Sequence, residues 1–454
     1  MIFFGCSDTI FVRYDRMQKG GRPVSNRILK TADPVILWTG LFLAVYLLFP
    51  GRYGYAGISR EKTLLFYGLM ALLLIPWAVL LIRDLKNKSL RPLTAPQIAA
   101  LVYLLCTVLS AAFSSFGRIA WYNRAAHEGA VTVGLYVLLF LILSRRGRPT
   151  KGLFLVLCAA ASVFCLLCLL QALGRNPLRL YPAGTNYYDG NGVKYKSAYA
   201  GTVGNVDLVS ALLAMAVPIL LASMRGLPLK RTWPVLLPAA ACLGILLWLR
   251  VLCGLVGLAM GGAVCFAVLC SGKTRKWLLP AYAVLAAGGI ALLWFLDPPV
   301  QFLHELHELL HGRAEDSFGS GRIFIWRQML RRVPDRLFFG VGPDMARFSG
   351  LAPFVRLDES GAVAATANVT DAHCLPLQIL YCQGLPALLS WLCLVGTVLF
   401  RWIRNREDRA AACLGCGLVC FLCAMLFCLS SIIIMPFFWL ALGLLDAAAA
   451  KAPN

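Results

Sequence analysis

The stretch GLFLVLCAAASVFCLLCLLQALG, at residues 152–174, carries no charged side chain over 23 positions. An α-helix rises about 1.5 Å per residue, so roughly 20 apolar residues cross the ~30 Å hydrocarbon core of a bilayer. The strands of a membrane barrel are only about ten residues long and alternate in polarity. The stretch therefore predicts a membrane-spanning helix.

Apolar runs of this kind recur along the whole chain. Of its 454 residues, 59% are hydrophobic and 14% are charged, whereas an average soluble domain is about 45–50% apolar and about 25% charged. The composition therefore predicts an all-α, polytopic transmembrane helical bundle of about twelve helices. The predicted spans are residues 34–50, 63–82, 97–113, 129–144, 152–174, 207–223, 233–249, 252–270, 278–296, 374–400, 410–428 and 431–447.

The net charge of +22 comes from short basic clusters between the apolar runs. They occupy every second connection, and positive charge in short loops marks the cytoplasmic side. We therefore expect topology signals and no nucleic-acid partner. The basic residues of these connections are Arg83, Lys86, Lys88, Arg91, Arg145, Arg146, Arg148, Lys151, Arg225, Lys230, Arg231, Lys273, Arg275, Lys276, Arg401, Arg404, Arg406 and Arg409.

Both ends of the chain are expected in the cytoplasm. Residues 1–33 form a basic tail without the apolar core and cleavage site of a secretory signal peptide, and residues 448–454 form a short C-terminal tail. Residues 34–447 then form the transmembrane domain. Its two long connections, 175–206 and 297–373, are expected to face outward. The second lies between the ninth and tenth helices and is expected to be partly helical.

Seventeen cysteines do not indicate a disulfide framework, because most lie inside apolar spans, where cysteine behaves as a small hydrophobe. Cys413, Cys416, Cys420 and Cys423 form two CxxC pairs on one helical face, as a metal or iron–sulfur site would require. Their segment is an apolar span with small residues suited to helix packing. We interpret these cysteines as packing residues.

Arg250, Arg322 and His373, far apart in sequence, are all expected at the outer face. Arg250 interrupts an apolar stretch at the end of the seventh span, and a charge deep in lipid costs at least about 2.5 kcal/mol. Arginine grips a diphosphate with a planar fork of donors and stays protonated. Histidine can accept a proton near neutral pH. The set fits transfer of a sugar from a lipid diphosphate to a hydroxyl.

Simpler interpretations stand beside this one. Arg250 could extend to the lipid headgroups, and His373 could be an interfacial histidine. Three further arginines of the outer loop stand at helical spacing. We interpret them as a solvated or lipid-phosphate-facing helix surface. These cations are Arg327, Arg331 and Arg332.

Two groups in the long loops have open interpretations. His304, His307 and His311 share one face of a predicted helix at a spacing that zinc could use, but the HExxH signature is absent. An amphipathic interfacial helix is the default interpretation. The other loop holds tyrosines that suit sugar stacking or an ordinary aromatic belt. They are Tyr187, Tyr188, Tyr195 and Tyr199.

Six pieces of sequence stand in a characteristic order between about residues 97 and 400. They are YNRAAHEG at 122–129, GTVGNVDLVSALLA at 201–214, WLRVLCG at 248–254, GSGRIFIW at 319–326, FGVGPD at 339–344 and AHCLPLQILYCQGLPALL at 372–389. Together with the twelve-span plan, they resemble the O-antigen ligase and polysaccharide polymerase family of bacterial membrane glycosyltransferases.

The resemblance implies an inverting, metal-independent glycosyltransferase without a cofactor, at the outer face of the bacterial inner membrane. Its donor would be an undecaprenyl-diphosphate-linked glycan and its acceptor a glycan or lipid-glycan, as in lipopolysaccharide and other cell-envelope polysaccharides. By position, Arg250 and Arg322 are implied to bind the diphosphate, and His373 to activate the acceptor hydroxyl.

The chain departs from the family pattern at three places. Leu249 stands where Ser is frequent, Cys374 where Asn follows the histidine, and Asp207 where Asn is usual. Ligase and polymerase remain alternatives, because both need the same binding site for the donor diphosphate and the same general base. From another class, a membrane transporter or a non-catalytic membrane protein would also be helical and basic. The predicted spans are nearly free of midplane charges, which disfavours transport.

Overall fold

The computed structural model describes residues 33–122, 127–181, 200–225, 228, 230, 232–270, 272–357 and 363–450. By its contacts the chain divides into Met1–Pro34 and Val35–Asn454, and apart from Pro34 every element below lies in the second unit. The helices are α1 (Pro34–Leu48), α2 (Ile58–Lys86), α3 (Ala95–Ala112), α4 (Arg118–Trp121), α5 (Ala130–Arg146), α6 (Lys151–Ala172), α7 (Val206–Ser223), α8 (Trp233–Leu249), α9 (Leu252–Leu269), α10 (Gly272–Phe295), α11 (Gln301–Leu310), α12 (Phe318–Arg332), α13 (Leu375–Gln383), α14 (Leu385–Arg404), α15 (Arg409–Ala424) and α16 (Met435–Ala449).

The fold is an almost entirely helical membrane-type bundle, as predicted. Within the described residues, seven helices are long and apolar enough to cross a membrane: α2, α3, α6, α7, α9, α10 and α14. Four further apolar helices are shorter: α1, α8, α15 and α16. The count of about twelve crossings therefore stays a prediction.

The prediction of one continuous span at 374–400 is wrong. Gly384, with φ +89°, separates α13 from α14. A Cβ at this position would lie 2.3 Å from the carbonyl oxygen of Phe338, so only glycine allows so close an approach of the two backbones. The amide of Leu385 donates to the carbonyl of Leu337 at 2.7 Å. The break thus anchors the outer loop to the helical bundle.

The centre of the bundle is formed by α15 and α16. Every residue of α16 is buried, and α15 packs on both α7 and α9. Two glycines of α9 let the backbones approach: a Cβ on Gly257 would meet Ala424, and one on Gly261 would meet Cys420, both at 2.5 Å. Small residues at such spacing are typical of packed membrane helices.

The connections at one end of the bundle are joined by charged contacts, and we call this the basic end. Arg401 donates to Asp446 at 2.6 Å, which places the C-terminal ends of α14 and α16 together. Asp446 also accepts a hydrogen bond from Ser144 of α5, and Arg225 pairs with Glu407 at 3.2 Å. A further ion pair joins Arg146 to Asp84. Together, these contacts lie in or beside four of the five predicted cytoplasmic connections.

The predicted outer loop, residues 297–373, is partly helical, as expected. It contains α11 and α12, and also a hairpin that the sequence did not predict, in which β1 (Phe354–Leu357) pairs antiparallel with β2 (Val363–Ala367). The amides of Val341 and Gly342 donate to the carbonyls of Tyr381 and Cys382 in α13 at 3.1 and 2.8 Å. The loop therefore lies against the end of the bundle opposite the basic end.

Candidate functional site

Arg322 lies at this opposite end, directly after a turn of three left-handed residues. Gly319, Ser320 and Gly321 have φ values of 60°, 58° and 86°. The Arg322 guanidinium donates to the carbonyl of Gly319 at 2.6 Å and to that of Phe427, which follows α15, at 3.0 Å. Its Nε is buried and has no partner within the described residues. The cation is thus held by two carbonyls and keeps one donor unused.

His373 is held next to Asp371 at the start of α13. Its amide donates to the Asp371 carboxylate at 2.6 Å, and its Nδ1 lies 3.2 Å from the Asp371 carbonyl oxygen. Because a carbonyl can only accept, that hydrogen bond requires the proton on Nδ1 and leaves a lone pair on Nε2. Nε2 is the nitrogen that can accept a proton from a substrate.

Burial lowers the pKa of His373 below its ordinary value of 6.5. The nearby Arg322 guanidinium lowers it further, whereas the carboxylate of Asp207 acts in the opposite direction. The imidazole is therefore mostly unprotonated at neutral pH, which is the form a general base needs. These effects also place a cation and an anion within electrostatic range of the imidazole.

Arg250 ends α8 in a left-handed conformation, with φ +53°. Its side chain is exposed and makes no hydrogen bond or ion pair to any described residue. Three residues on, the Cys253 thiol lies 3.1 Å from the Ser210 hydroxyl and 3.8 Å from the Asp207 carbonyl. Arg250 thus lies at the same end of the bundle as Asp207, although no direct contact joins it to Arg322 or His373.

A buried acidic network behind His373 was missed in the sequence. Asp371 also accepts a 3.4 Å hydrogen bond from the amide of Ser430, whose hydroxyl contacts Glu128. Glu128 in turn hydrogen-bonds the Tyr136 hydroxyl at 2.9 Å, and its amide donates to Asp344 at 3.1 Å. A signal was present in the sequence, since Glu128 and Asp344 lie in two of the six quoted pieces and Asp371 directly precedes a third.

Burial raises the pKa of two of these acids. It raises that of Glu128 to about 8, with a further contribution from Asp344, and that of Asp371 to about 7. Glu128 is therefore mostly protonated at neutral pH. A cavity of about 40 Å³ lies beside it, lined also by Asp344, Gln378 and Ser430. Since a water molecule needs roughly 10–15 Å³, the cavity can hold a few.

The two histidines of α11 and His311, which directly follows this helix, each use Nδ1 for a separate contact. His304 bonds Asp297 at 2.6 Å, His307 the carbonyl of Leu293 at 2.6 Å, and His311 the carbonyl of His307 at 2.8 Å. Within the described part of the chain, no group of three or more His, Cys, Asp or Glu side chains is arranged to hold a metal. The geometry is that of an amphipathic helix folded back on α10.

The remaining sequence expectations concern segments outside the described residues. These include most of the N-terminal tail, the last four residues, and the loop that carries the proposed sugar-stacking tyrosines. The tyrosines are Tyr187, Tyr188, Tyr195 and Tyr199.

At its non-basic end, the bundle thus holds a fixed guanidinium, a neutral imidazole with an unused Nε2 and an exposed arginine. The sequence matches no protein-family model, and no curated protein sequence is detectably similar to it.

Proposed function

We propose that the chain is an O-antigen ligase-like glycosyltransferase that moves a glycan from undecaprenyl diphosphate to an acceptor hydroxyl. One observation carries the proposal: Arg322 and His373, 51 residues apart in sequence, lie within electrostatic range at the end opposite the basic connections. A membrane-embedded donor with a diphosphate headgroup needs a cation and a base at one rim of the bilayer.

The reaction would be a single displacement at the anomeric carbon. The acceptor oxygen forms a bond to that carbon as the bond to the diphosphate oxygen breaks, and the hydroxyl proton passes to Nε2 of His373. Arg322 stabilises the leaving diphosphate, whose negative charge increases in the transition state. Arg250, exposed and free of other described partners, would supply a second cation to the same headgroup.

The transfer needs no metal in this proposal, because the side chains of Arg322 and Arg250 supply the positive charge that stabilises the diphosphate. The neutral state of His373 supports the role of base, and its fixed Nδ1 contact orients Nε2. A polysaccharide polymerase of the same family would use the same groups. The two enzymes differ in the acceptor, which is another lipid-linked glycan for the polymerase.

Deletion of the gene and complementation with variants tests the proposal. We expect wild type to restore surface polymer and His373→Ala and Arg322→Ala to fail. Arg327→Ala is the matched control, because Arg327 lies on the same helix in an exposed ion pair with Asp316. Long unattached chains in the deletion strain would identify a ligase, and single lipid-linked repeat units a polymerase. Full restoration by both site variants, or no glycan phenotype at all, would contradict the proposal.

A further inference from the structure

The helix α11 begins where a membrane-length helix ends. The helix α10, which has no buried residue, ends at Phe295, and α11 starts six residues later. Two histidines of α11 fold it back against this end, His304 through Asp297 and His307 through the carbonyl of Leu293. An amphipathic helix attached to the end of an apolar one is suited to the membrane surface.

One acidic residue of α11 reaches in the other direction, toward Arg322. The Oε2 atom of Glu305 accepts the amide of Gly319 at 2.9 Å, and its Oε1 accepts from Gln301 at 3.1 Å. The carbonyl of the same Gly319 accepts the Arg322 guanidinium at 2.6 Å. Gly319 thus contacts the carboxylate of Glu305 through its amide and the Arg322 guanidinium through its carbonyl.

The turn between them needs such support. Gly319 and Gly321 tolerate a left-handed backbone, but Ser320 adopts it against the preference of its side chain. A strained conformation of this kind persists only where surrounding contacts hold it. Glu305 supplies the contact from α11, and Phe427 holds the far side of the guanidinium.

We propose that Glu305 is a positioning residue, which holds the Gly319–Gly321 turn from the membrane-surface helix α11 and so fixes Arg322 for the diphosphate. The inference rests on the proposed function for what Arg322 binds. The contact itself does not depend on it. In physical terms, the position of α11 at the bilayer surface sets the position of the cation at the reacting headgroup.

Hydrogen exchange of the full chain in detergent tests the contact without any substrate. Glu305→Ala removes the acceptor of the Gly319 amide, so we expect its exchange to become at least about ten-fold faster. Glu305→Gln keeps an acceptor oxygen and should stay near wild type. Glu308→Gln is the matched control, since Glu308 pairs with Arg313 and not with the turn. Unchanged exchange in Glu305→Ala would overturn the inference.

Transfer kinetics test the consequence. We expect Glu305→Ala to lower kcat about ten-fold with little change in KM, because Arg322 acts mainly on charge that develops in the transition state. Glu305→Gln should retain most of kcat, a rescue that a merely structural loss would not show. Faster exchange with unchanged kcat would also overturn the inference. A wild-type chain without transferase activity would instead overturn the proposed function, while the exchange result would still decide whether Glu305 holds the turn.

Discussion

His373 and Arg250 both have a left-handed backbone, with φ of 50° and 53°. Residues other than glycine rarely adopt this region, and such conformations cost about 1–3 kcal/mol and concentrate at functional sites. The sequence predicts from charge and topology that they lie at one face of the membrane. It does not predict their backbone conformations, because His373 takes its shape from contacts with Asp371 that no periodicity in the sequence indicates.

The pH dependence of transfer should respond to Asp207. Its carboxylate raises the pKa of His373, while burial and Arg322 lower it. Asp207→Asn removes the opposing effect, so the pKa falls further and the acid limb of the kcat/KM profile moves to lower pH, with the plateau unchanged. The check is a pH series on wild type and variant. A limb that moves to higher pH, or does not move, would contradict the assignment of His373 as the base.

The stability of the folded chain should fall as the pH rises through the titration of Glu128. Its pKa is about 8 in the fold against an ordinary 4.5, so between these values the folded state keeps a proton that the unfolded state has released. Unfolding then becomes easier with rising pH. We expect the Tm in detergent to decrease from about pH 5 to about pH 8 and to level off above that.

Glu128→Gln should flatten much of this slope, because the amide resembles the protonated acid and does not titrate. Glu407→Gln is the control, since Glu407 is exposed at the basic end. A variant slope equal to that of wild type would show that Glu128 is not the group that titrates.

At the scale of elements, the apolar runs located the helices within a few residues, for example 152–174 against α6 at Lys151–Ala172. They missed the break at Gly384 and the hairpin of β1 and β2. Hydropathy reports where a chain prefers lipid, whereas both features depend on backbone contacts between separate segments. The break needs the close approach of Gly384 to Phe338, and the hairpin needs the pairing of β1 with β2.

The close packing of α9 on α15 predicts opposite outcomes for two neighbouring glycines. A side chain at Gly261 would enter the backbone of Cys420, whereas Gly262 has no atom within 4 Å of a Cβ. We expect Gly261→Val to reduce the yield of folded protein severely, because overpacking of this kind costs about 1–3 kcal/mol or more. Gly262→Val should behave as wild type in the same thermal-shift and size-exclusion measurements. Equal behaviour of the two variants would contradict this helix pairing.

At the scale of the whole molecule, charge separates the two ends of the bundle. The helix ends at the basic end are joined by the ion pairs of Arg225 with Glu407 and of Arg401 with Asp446. Arg322 and His373 lie at the opposite end. The sequence allowed this arrangement to be predicted, because basic clusters occupy every second connection. It did not reveal the buried network around Glu128, since single acids at span ends look alike until the helices are assembled.

The positive-inside rule predicts that the basic end faces the cytoplasm, and this orientation can be measured. An epitope inserted at the exposed Gly350 should be reached by antibody in intact spheroplasts. One inserted beside Glu407 should be reached only after permeabilisation. The reverse pattern would place Arg322 and His373 on the cytoplasmic side and contradict transfer at the outer face.

The central claim is that His373 and Arg322 act together on a lipid diphosphate. The direct measurement is release of undecaprenyl diphosphate by the purified chain in proteoliposomes, with a lipid-linked glycan as donor and a glycan acceptor. We expect wild type to release it, and His373→Gln to be slower by about 100-fold or more, as the loss of a general base implies. A wild-type chain that releases none, or a His373→Gln variant that keeps the wild-type rate, would contradict the account.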